Sequence, residues 1–355
     1  MQRNRILLAL SPIALSIAVA SQAQAAVSLY DQNGTSFSAD GHFNTFLTHT
    51  DDKQTQETQT RVRMGFLPNY IGFNVSKQAG DLTLGGRSSF WVTINDGSNN
   101  VTDTAIDVRQ FYATVDGSFG QVLFGKDFGI YARSNVFNDE LLFGTGLPMQ
   151  NTGGVTFGNI STGYPYAVPK AQLTYRTNDM SGLKVAVSLL DPQSGEQTAA
   201  NTDNSLRVEA EATYAKEIEG AKLSAWVGVA SGKNDATDVD ASGVAYGVRV
   251  AMSGFQVTVS GFDQKGISTA LADQVLATEA KSDGMLVQGS YVMGATKLVL
   301  SHGETDFSGS KKELDAAAVF YDVNESLKLV AEYDVMSLTA SKDTTQLALG
   351  ASFSW

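Results

Sequence analysis

From residue 27 onward the chain repeats one pattern. Short runs in which apolar and polar side chains alternate are separated by breaks rich in Gly, Asn, Asp or Ser. Alternation with period two places one kind of side chain on each face of a strand. No helical period is sustained over fifteen residues. Residues 36–48 set Phe37, Ala39, Phe43 and Leu47 against Ser38, Asp40, His42 and Asn44, and residues 206–216, 222–230, 285–291 and 327–333 behave likewise. The last run is the clearest, with Leu347, Leu349, Ala351, Phe353 and Trp355 on one parity and Gln346, Ala348, Gly350, Ser352 and Ser354 on the other. One such run is weak evidence; its repetition along the whole chain is strong.

Composition narrows the choices. The mean hydropathy of −0.09 excludes a bundle of membrane-spanning helices, which needs apolar runs of about 20 residues. A net charge of −12 leaves no basic stripe for phosphates and argues against a nucleic-acid partner. The absence of Cys rules out disulfide scaffolds and thiolate metal or redox sites. The three His residues have no zinc-ligand spacing, the Asp-rich residues 235–240 lack the pattern of a calcium hand, and no Gly-x-Ser-x-Gly elbow is present, so no cofactor or metal is expected.

The first 25 residues read as an export signal: Arg3 and Arg5, an apolar stretch over residues 6–20, then Ala23-Gln24-Ala25 as a cleavage site. Its removal would take the net charge to −14. The expected mature domain is residues 26–355.

Connections between the alternating runs fall into two classes that take turns along the chain. Seven are short, at residues 77–80, 116–118, 178–182, 217–220, 252–254, 293–295 and 323–325. Eight read as long polar loops, at residues 50–57, 95–104, 129–168, 191–204, 231–242, 266–282, 305–311 and 337–342. Fifteen connections join sixteen strands, with every long loop on one side and both termini on the other. That is an up-and-down antiparallel β-barrel of the outer-membrane type, closed because lipid offers no hydrogen bonds to an open edge. Sixteen strands enclose an aqueous channel unless something fills it, and residues 129–168 form a connection long enough to do so.

Particular residues carry a family resemblance. Val27-Ser28-Leu29-Tyr30-Asp31-Gln32-Asn33-Gly34-Thr35, Asp116-Gly117-Ser118-Phe119-Gly120, Phe124-Gly125-Lys126-Asp127-Phe128-Gly129 and Leu173-Thr174-Tyr175-Arg176-Thr177-Asn178 resemble segments of the trimeric general porins of Gram-negative outer membranes. The resemblance implies an inward-folded third loop over 129–168, a homotrimer, contact with outer-membrane lipid and lipopolysaccharide, and a C-terminal strand, with Phe353 and Trp355, read by the insertion machinery. Two departures stand out. The family ends in Phe where this chain has Trp355, and the family's Pro-Glu-Phe-Gly-Gly stretch is replaced by Asn138-Asp139-Glu140-Leu141-Leu142-Phe143-Gly144.

Parity selects the candidate pore residues. Arg61 and Arg63 alternate with Val62 and Met64, Arg87 opposes Leu82, Leu84 and Phe90, and Lys170 and Arg176 share a parity with Gln172 and Thr174. A basic residue on the lipid face costs about 2–4 kcal/mol near the midplane, so these five are expected in the lumen. Arg109 is ambiguous by parity. By resemblance the third loop would turn Asp139 and Glu140 toward this basic wall, making a transverse field across a narrow passage. Tyr112, Tyr175, Tyr214, Tyr291, Tyr321, Tyr333, Phe353 and Trp355 are expected in interfacial girdles at strand ends.

These readings point to a channel for passive diffusion of small hydrophilic solutes and ions, without chemistry. A channel specific for sugars or small organic acids would need a binding track at the constriction. An outer-membrane hydrolase would need Ser, His and an acid at the rim, where only His49 and His302 fall near expected loop ends.

Overall fold

A computed structural model describes residues 26–95, 106–148, 157–192 and 205–355. The expected export signal lies outside the described residues. Eighteen strand segments follow one another: β1 (Val27–Gln32), β2 (Thr35–Asp52), β3 (Glu57–Arg63), β4 (Asn69–Ala79), β5 (Leu82–Val92), β6 (Asp107–Gly117), β7 (Gly120–Phe128), β8 (Pro169–Arg176) and β9 (Leu183–Leu190). The second half runs β10 (Arg207–Ile218), β11 (Ala221–Asn234), β12 (Val239–Met252), β13 (Phe255–Lys265), β14 (Lys281–Met293), β15 (Thr296–Phe307), β16 (Ser310–Asp322), β17 (Leu327–Leu338) and β18 (Thr344–Ser354). One five-residue helix, α1 (Arg133–Phe137), is present among the described residues.

All eighteen segments lie in one antiparallel sheet that closes on itself through the pairing of β18 with β2. They occupy sixteen rows, because two rows are shared. On one side of β2, β18 pairs with His42–Asp52 and β1 with Thr35–Ala39. On the other side, β3 pairs with Phe46–Asp52 and β4 with Thr35–His42. The ring therefore has the sixteen rows expected, with the first and last segments of the described chain sharing one of them.

The row of β3 and β4 is interrupted at residues 64–68, which include Pro68. Proline has no N–H to give the ladder. The freed backbone donors find other partners: Met64 N donates to Asn95 Oδ1 at 2.8 Å, Phe66 N to Gly144 O at 2.8 Å and Leu67 N to Leu142 O at 3.2 Å. Two of these acceptors belong to the long connection 129–168, so the break in the wall is a landing place for that loop.

The turns at the end holding the termini are short, as the alternation requires. At the far end several loops are shorter than the sequence suggested. Strands β11 and β12 continue to Asn234 and from Val239, and β15 and β16 meet at a two-residue turn, Ser308-Gly309, with φ of 53° and 86°. Both residues at positive φ fit the twist of a tight hairpin. These strand ends looked like loops because both faces are polar. Glu304, Asp306, Lys311 and Glu313 stand opposite one another there, with Lys311 paired to Glu304 and Glu313.

Exposed Leu, Val, Ile, Phe and Met line the outside of the ring. Near the terminus-bearing end Tyr175, Tyr291, Tyr321 and Phe353 project outward, and Phe255 stacks on Tyr291 at 4.3 Å. Two expected girdle residues differ. Tyr112 shares the inner parity of Gln110 and Thr114, and Tyr333 stands at mid-strand, seven residues into β17.

The seam between β18 and β2 is finished by the C-terminal residue. Trp355 exchanges backbone hydrogen bonds with Gly41, at 3.1 and 3.2 Å, and its ring lies over that glycine beside Phe43 (5.0 Å) and Phe353 (5.5 Å). A Cβ at residue 41 would collide with the indole. Gly41→Val is expected to destabilise the barrel by about 1–3 kcal/mol through overpacking. A urea titration of the refolded chain in lipid would show a lowered midpoint; an unchanged midpoint would contradict the seam described here.

Candidate functional site

The described parts of the connection 129–168, residues 129–148 and 157–168, lie inside the ring. The two ends of the connection are tied by Gly129 N donating to Val168 O at 3.1 Å. The outbound limb is then fastened to one wall residue after another. Ile130 N and Tyr131 N both donate to Glu209 Oε2 on β10, at 2.7 and 2.9 Å. Asn135, in α1, accepts from Trp226 Nε1 on β11 at 2.9 Å and donates to Gly261 O on β13 at 3.1 Å. Arg249 on β12 donates to Asn138 O at 2.5 Å. At the tip, Thr145 N and Gly146 N donate to the Glu332 carboxylate on β17, at 3.1 and 2.5 Å, and Gly144 sits so close to Glu332 that no side chain fits.

Apolar contacts back these polar ones. Tyr131, Val136, Leu142, Ile160 and Tyr164 of the loop pack with Ala230, Ala241, Ala245, Phe262 and Leu286 of the inner wall. Leu141 belongs to a second cluster with Phe46, Val299, Ala316, Ala318 and Ala348. An inward-facing alanine leaves room for the loop that a larger wall residue would fill. The barrel thus has a local hydrophobic core between its own wall and the loop, covering β11 to β18.

Asp139 and Glu140 do not face the arginines. Both are buried, at 4% and 6% exposure, against the wall on which the loop lies. Asp139 accepts from Gln288 Nε2 of β14 at 2.7 Å, from Asn159 Nδ2 at 3.0 Å, from Leu141 N at 2.9 Å and from the Tyr164 hydroxyl. Burial and the adjoining Asp139 carboxylate push the Tyr164 phenol well above its usual range, which keeps it a donor. Glu140 is held by Arg249 at 3.2 Å, by Lys297 of β15 and by Gln256 of β13. The expectation that these acids oppose the basic wall is corrected: burying a carboxylate requires paired donors, and the loop uses both to attach itself.

Arg61, Arg63, Arg87, Lys170 and Arg176 stand on inner-face positions, and Arg109 joins them. A bulge between Ser89 and Phe90, opposite residues 108–110, leaves Arg109 outside the regular alternation. Its guanidinium lies 4.9 Å from the Trp91 ring and donates to Tyr166 Oη at 2.9 Å, inside the barrel. The structure does not gather these six into one cluster of free charge. Arg87 is bound to Asp40 at 2.7 Å and to Asn74 and Gln110. Arg176 lies 3.8 Å from Asp127, which Arg133 also approaches at 3.3 Å. Lys170 pairs with Asp273 at 3.6 Å, and Arg109 with Asp107 at 2.8 Å. Arg61, half-buried, pairs with no acid among the described residues. Arg63 is buried beside it on β3, two positions along the same face.

Several anchors had escaped sequence reasoning: Glu209, Gln288, Glu332 and Arg249. Each lies on the polar parity of its strand, but nothing local separates an anchor from a solvated lumen residue. His49 and His302 are also resolved. Both project outward with the apolar parity of their strands, His49 on Thr60 and His302 on Asp315 at 2.8 Å.

The sequence profile of the Gram-negative porin family matches residues 10–341. The chain belongs to that family. It is 28% identical over 152 residues to outer membrane protein U of Vibrio cholerae, an alignment covering 39% of this chain and 41% of the relative, so this porin spans about two fifths of that relative's length. The anion-selective porin of Comamonas acidovorans has the same fold (TM-score 0.70, 14% identity, 90% of this chain and all of that one). So does OmpT of Vibrio cholerae in its trimer form (TM-score 0.58, 17% identity, 91% of this chain and all of that one). The porin is an integral protein of the Gram-negative outer membrane.

The attachment of the loop can be measured. Removing one member of a buried ion pair strands the other, at about 3–5 kcal/mol. Glu140→Ala should lower the urea midpoint accordingly and open residues 129–168 to protease. A variant as stable and as protected as the parent would show that the Arg249 and Lys297 contacts do not hold the loop.

Proposed function

We propose that the mature chain, freed of residues 1–25, is a water-filled channel through which small hydrophilic solutes and ions diffuse passively, constricted by residues 129–168 and biased toward anions. The family supports a channel rather than an enzyme. One observation supports the bias: the acids of the loop are turned into the wall, while Arg61, with Arg63 beside it, remains on the opposite inner face. Asp40, Asp127 and Asp273 offset Arg87, Arg176 and Lys170, so these three tune the shape and polarity of the passage more than its net charge. Acids on distant loops are screened within about 8–10 Å at physiological salt, so the chain's acidic total counts for less than this local ring.

A homotrimer is part of the reading, supported by the fold shared with a porin solved in a trimer form. The apolar band would face lipid and lipopolysaccharide, and Phe353 and Trp355 would be read by the outer-membrane insertion machinery. The Comamonas porin, described as anion-selective, adds weight to the charge preference.

Conductance of the refolded mature protein in a planar bilayer under a salt gradient tests this. The reversal potential should have the anion-selective sign, with steps closing in threes. Arg61→Gln should reduce the anion-to-cation permeability ratio roughly thirtyfold, because one charge 4 Å from the ion in water is worth about 1 kcal/mol for an anion and about 1 kcal/mol against a cation. A cation-selective parent channel, or an Arg61→Gln channel with unchanged selectivity, would overturn the assignment.

A further inference from the structure

A second loop, residues 266–280 between β13 and β14, also folds inward. It is braced within itself by Gly266 N donating to Ala280 O (2.9 Å), Leu276 N to Gly266 O (2.8 Å) and Ser268 N to Gln274 O (2.9 Å). Gln264 of β13 holds its root by donating to Ile267 O and Ser268 O, both at 3.1 Å. Ile267 and Ala272 are buried, at 0% and 2% exposure. From there the loop crosses the barrel mouth. Val275 lies over Gly232 on the inner face of β11. Ala270 O accepts from Tyr166 N, and Ala272 N donates to Tyr166 O, both at 2.9 Å, on the return limb of 129–168. Asp273 reaches Lys170 on β8, which stands five rows from β13 around the ring.

We propose that residues 266–280 are a second, extracellular constriction: a stiff flap clasped to β8 by Lys170–Asp273 and to the third loop by the Tyr166 bridge, closing the sector of the mouth between β8 and β13 and limiting which solutes enter. The clasp is suited to release. Its ion pair is a single contact at 3.6 Å with both side chains partly in solvent, at 14% exposure each, and such pairs are weak and screened by salt. The hairpin keeps its own shape when the clasp opens, because its internal hydrogen bonds do not involve β8. Lys170 thereby gains a role as the keeper of the flap in addition to its charge. The proposal rests on the diffusion-channel reading.

The chain has no cysteine, so Lys170→Cys with Asp273→Cys gives a unique pair that a short, reducible bis-thiosulfonate can bridge. Full-length mature protein in liposomes is assayed by swelling with a series of sugars of increasing size. Bridging should leave the rates of the parent protein, and reduction should raise the flux of the larger sugars roughly threefold, while the smallest is unchanged. A monofunctional thiosulfonate on the same pair should behave as the released flap. Deleting residues 270–274 should give the same gain without any thiol chemistry. Equal sugar fluxes in the bridged, released and deleted forms would overturn the flap, as would a pair that the reagent fails to bridge in the membrane. Absence of sugar flux from the parent protein would instead sink the diffusion reading.

Discussion

Lipid offers no hydrogen bonds, and most features of this molecule follow from that constraint. A strand exposed to hydrocarbon must give all its N–H and C=O groups to its neighbours, so the sheet has to close, and an antiparallel sheet closes simply when an even number of rows alternates turn with loop. Here closure falls between β18 and β2, where the terminal tryptophan caps the seam over Gly41. The interruption of the wall at residues 64–68 does not leave its donors bare. The carbonyls of Leu142 and Gly144 fill it. The barrel and the loop inside it therefore complete each other, and the loop is part of the fold rather than an addition to it.

Attachment of that loop decides the electrostatics of the interior. Asp139, Glu140, Glu209 and Glu332 are all bound where loop and wall meet. Carboxylates used this way are removed from the solute's path. The opposite wall, on β3, β5, β6 and β8, keeps its arginines and Lys170, most of them matched by a local aspartate. In the proposed channel the field then depends on Arg61 more than on the chain's overall acidity. The flap at residues 266–280 continues the arrangement: it packs on the third loop and reuses a basic residue of the wall as its catch.

Much of the architecture was legible because a period-two pattern repeated many times carries little ambiguity. Strand parity alone placed Arg61, Arg87 and Arg176 on the inner face, since a charge on the lipid face is costly. What stayed hidden was tertiary. The far ends of β15 and β16 carry charge on both faces, so Glu304 and Lys311 read as loop until their cross-strand pairing is seen. Asp139 and Glu140 read as lumen acids because their partners, Gln288, Arg249 and Lys297, lie more than a hundred residues away in sequence. Inward alanines at 230, 241 and 245 are unremarked in a strand pattern, yet they mark where the loop lies.

The described residues of 129–168 cover the inner face of β11–β14 and leave the Arg61 position on β3 uncovered. In a chain without native cysteine, single substitutions Arg61→Cys and Ala245→Cys report on the two walls when a bulky charged thiol reagent is added to open channels. Current through the residue-61 variant is expected to fall on addition, while the residue-245 variant, covered by the loop at 1% exposure, is unaffected. Equal loss of current in both variants would contradict it, because the loop would then not be lying where its contacts place it.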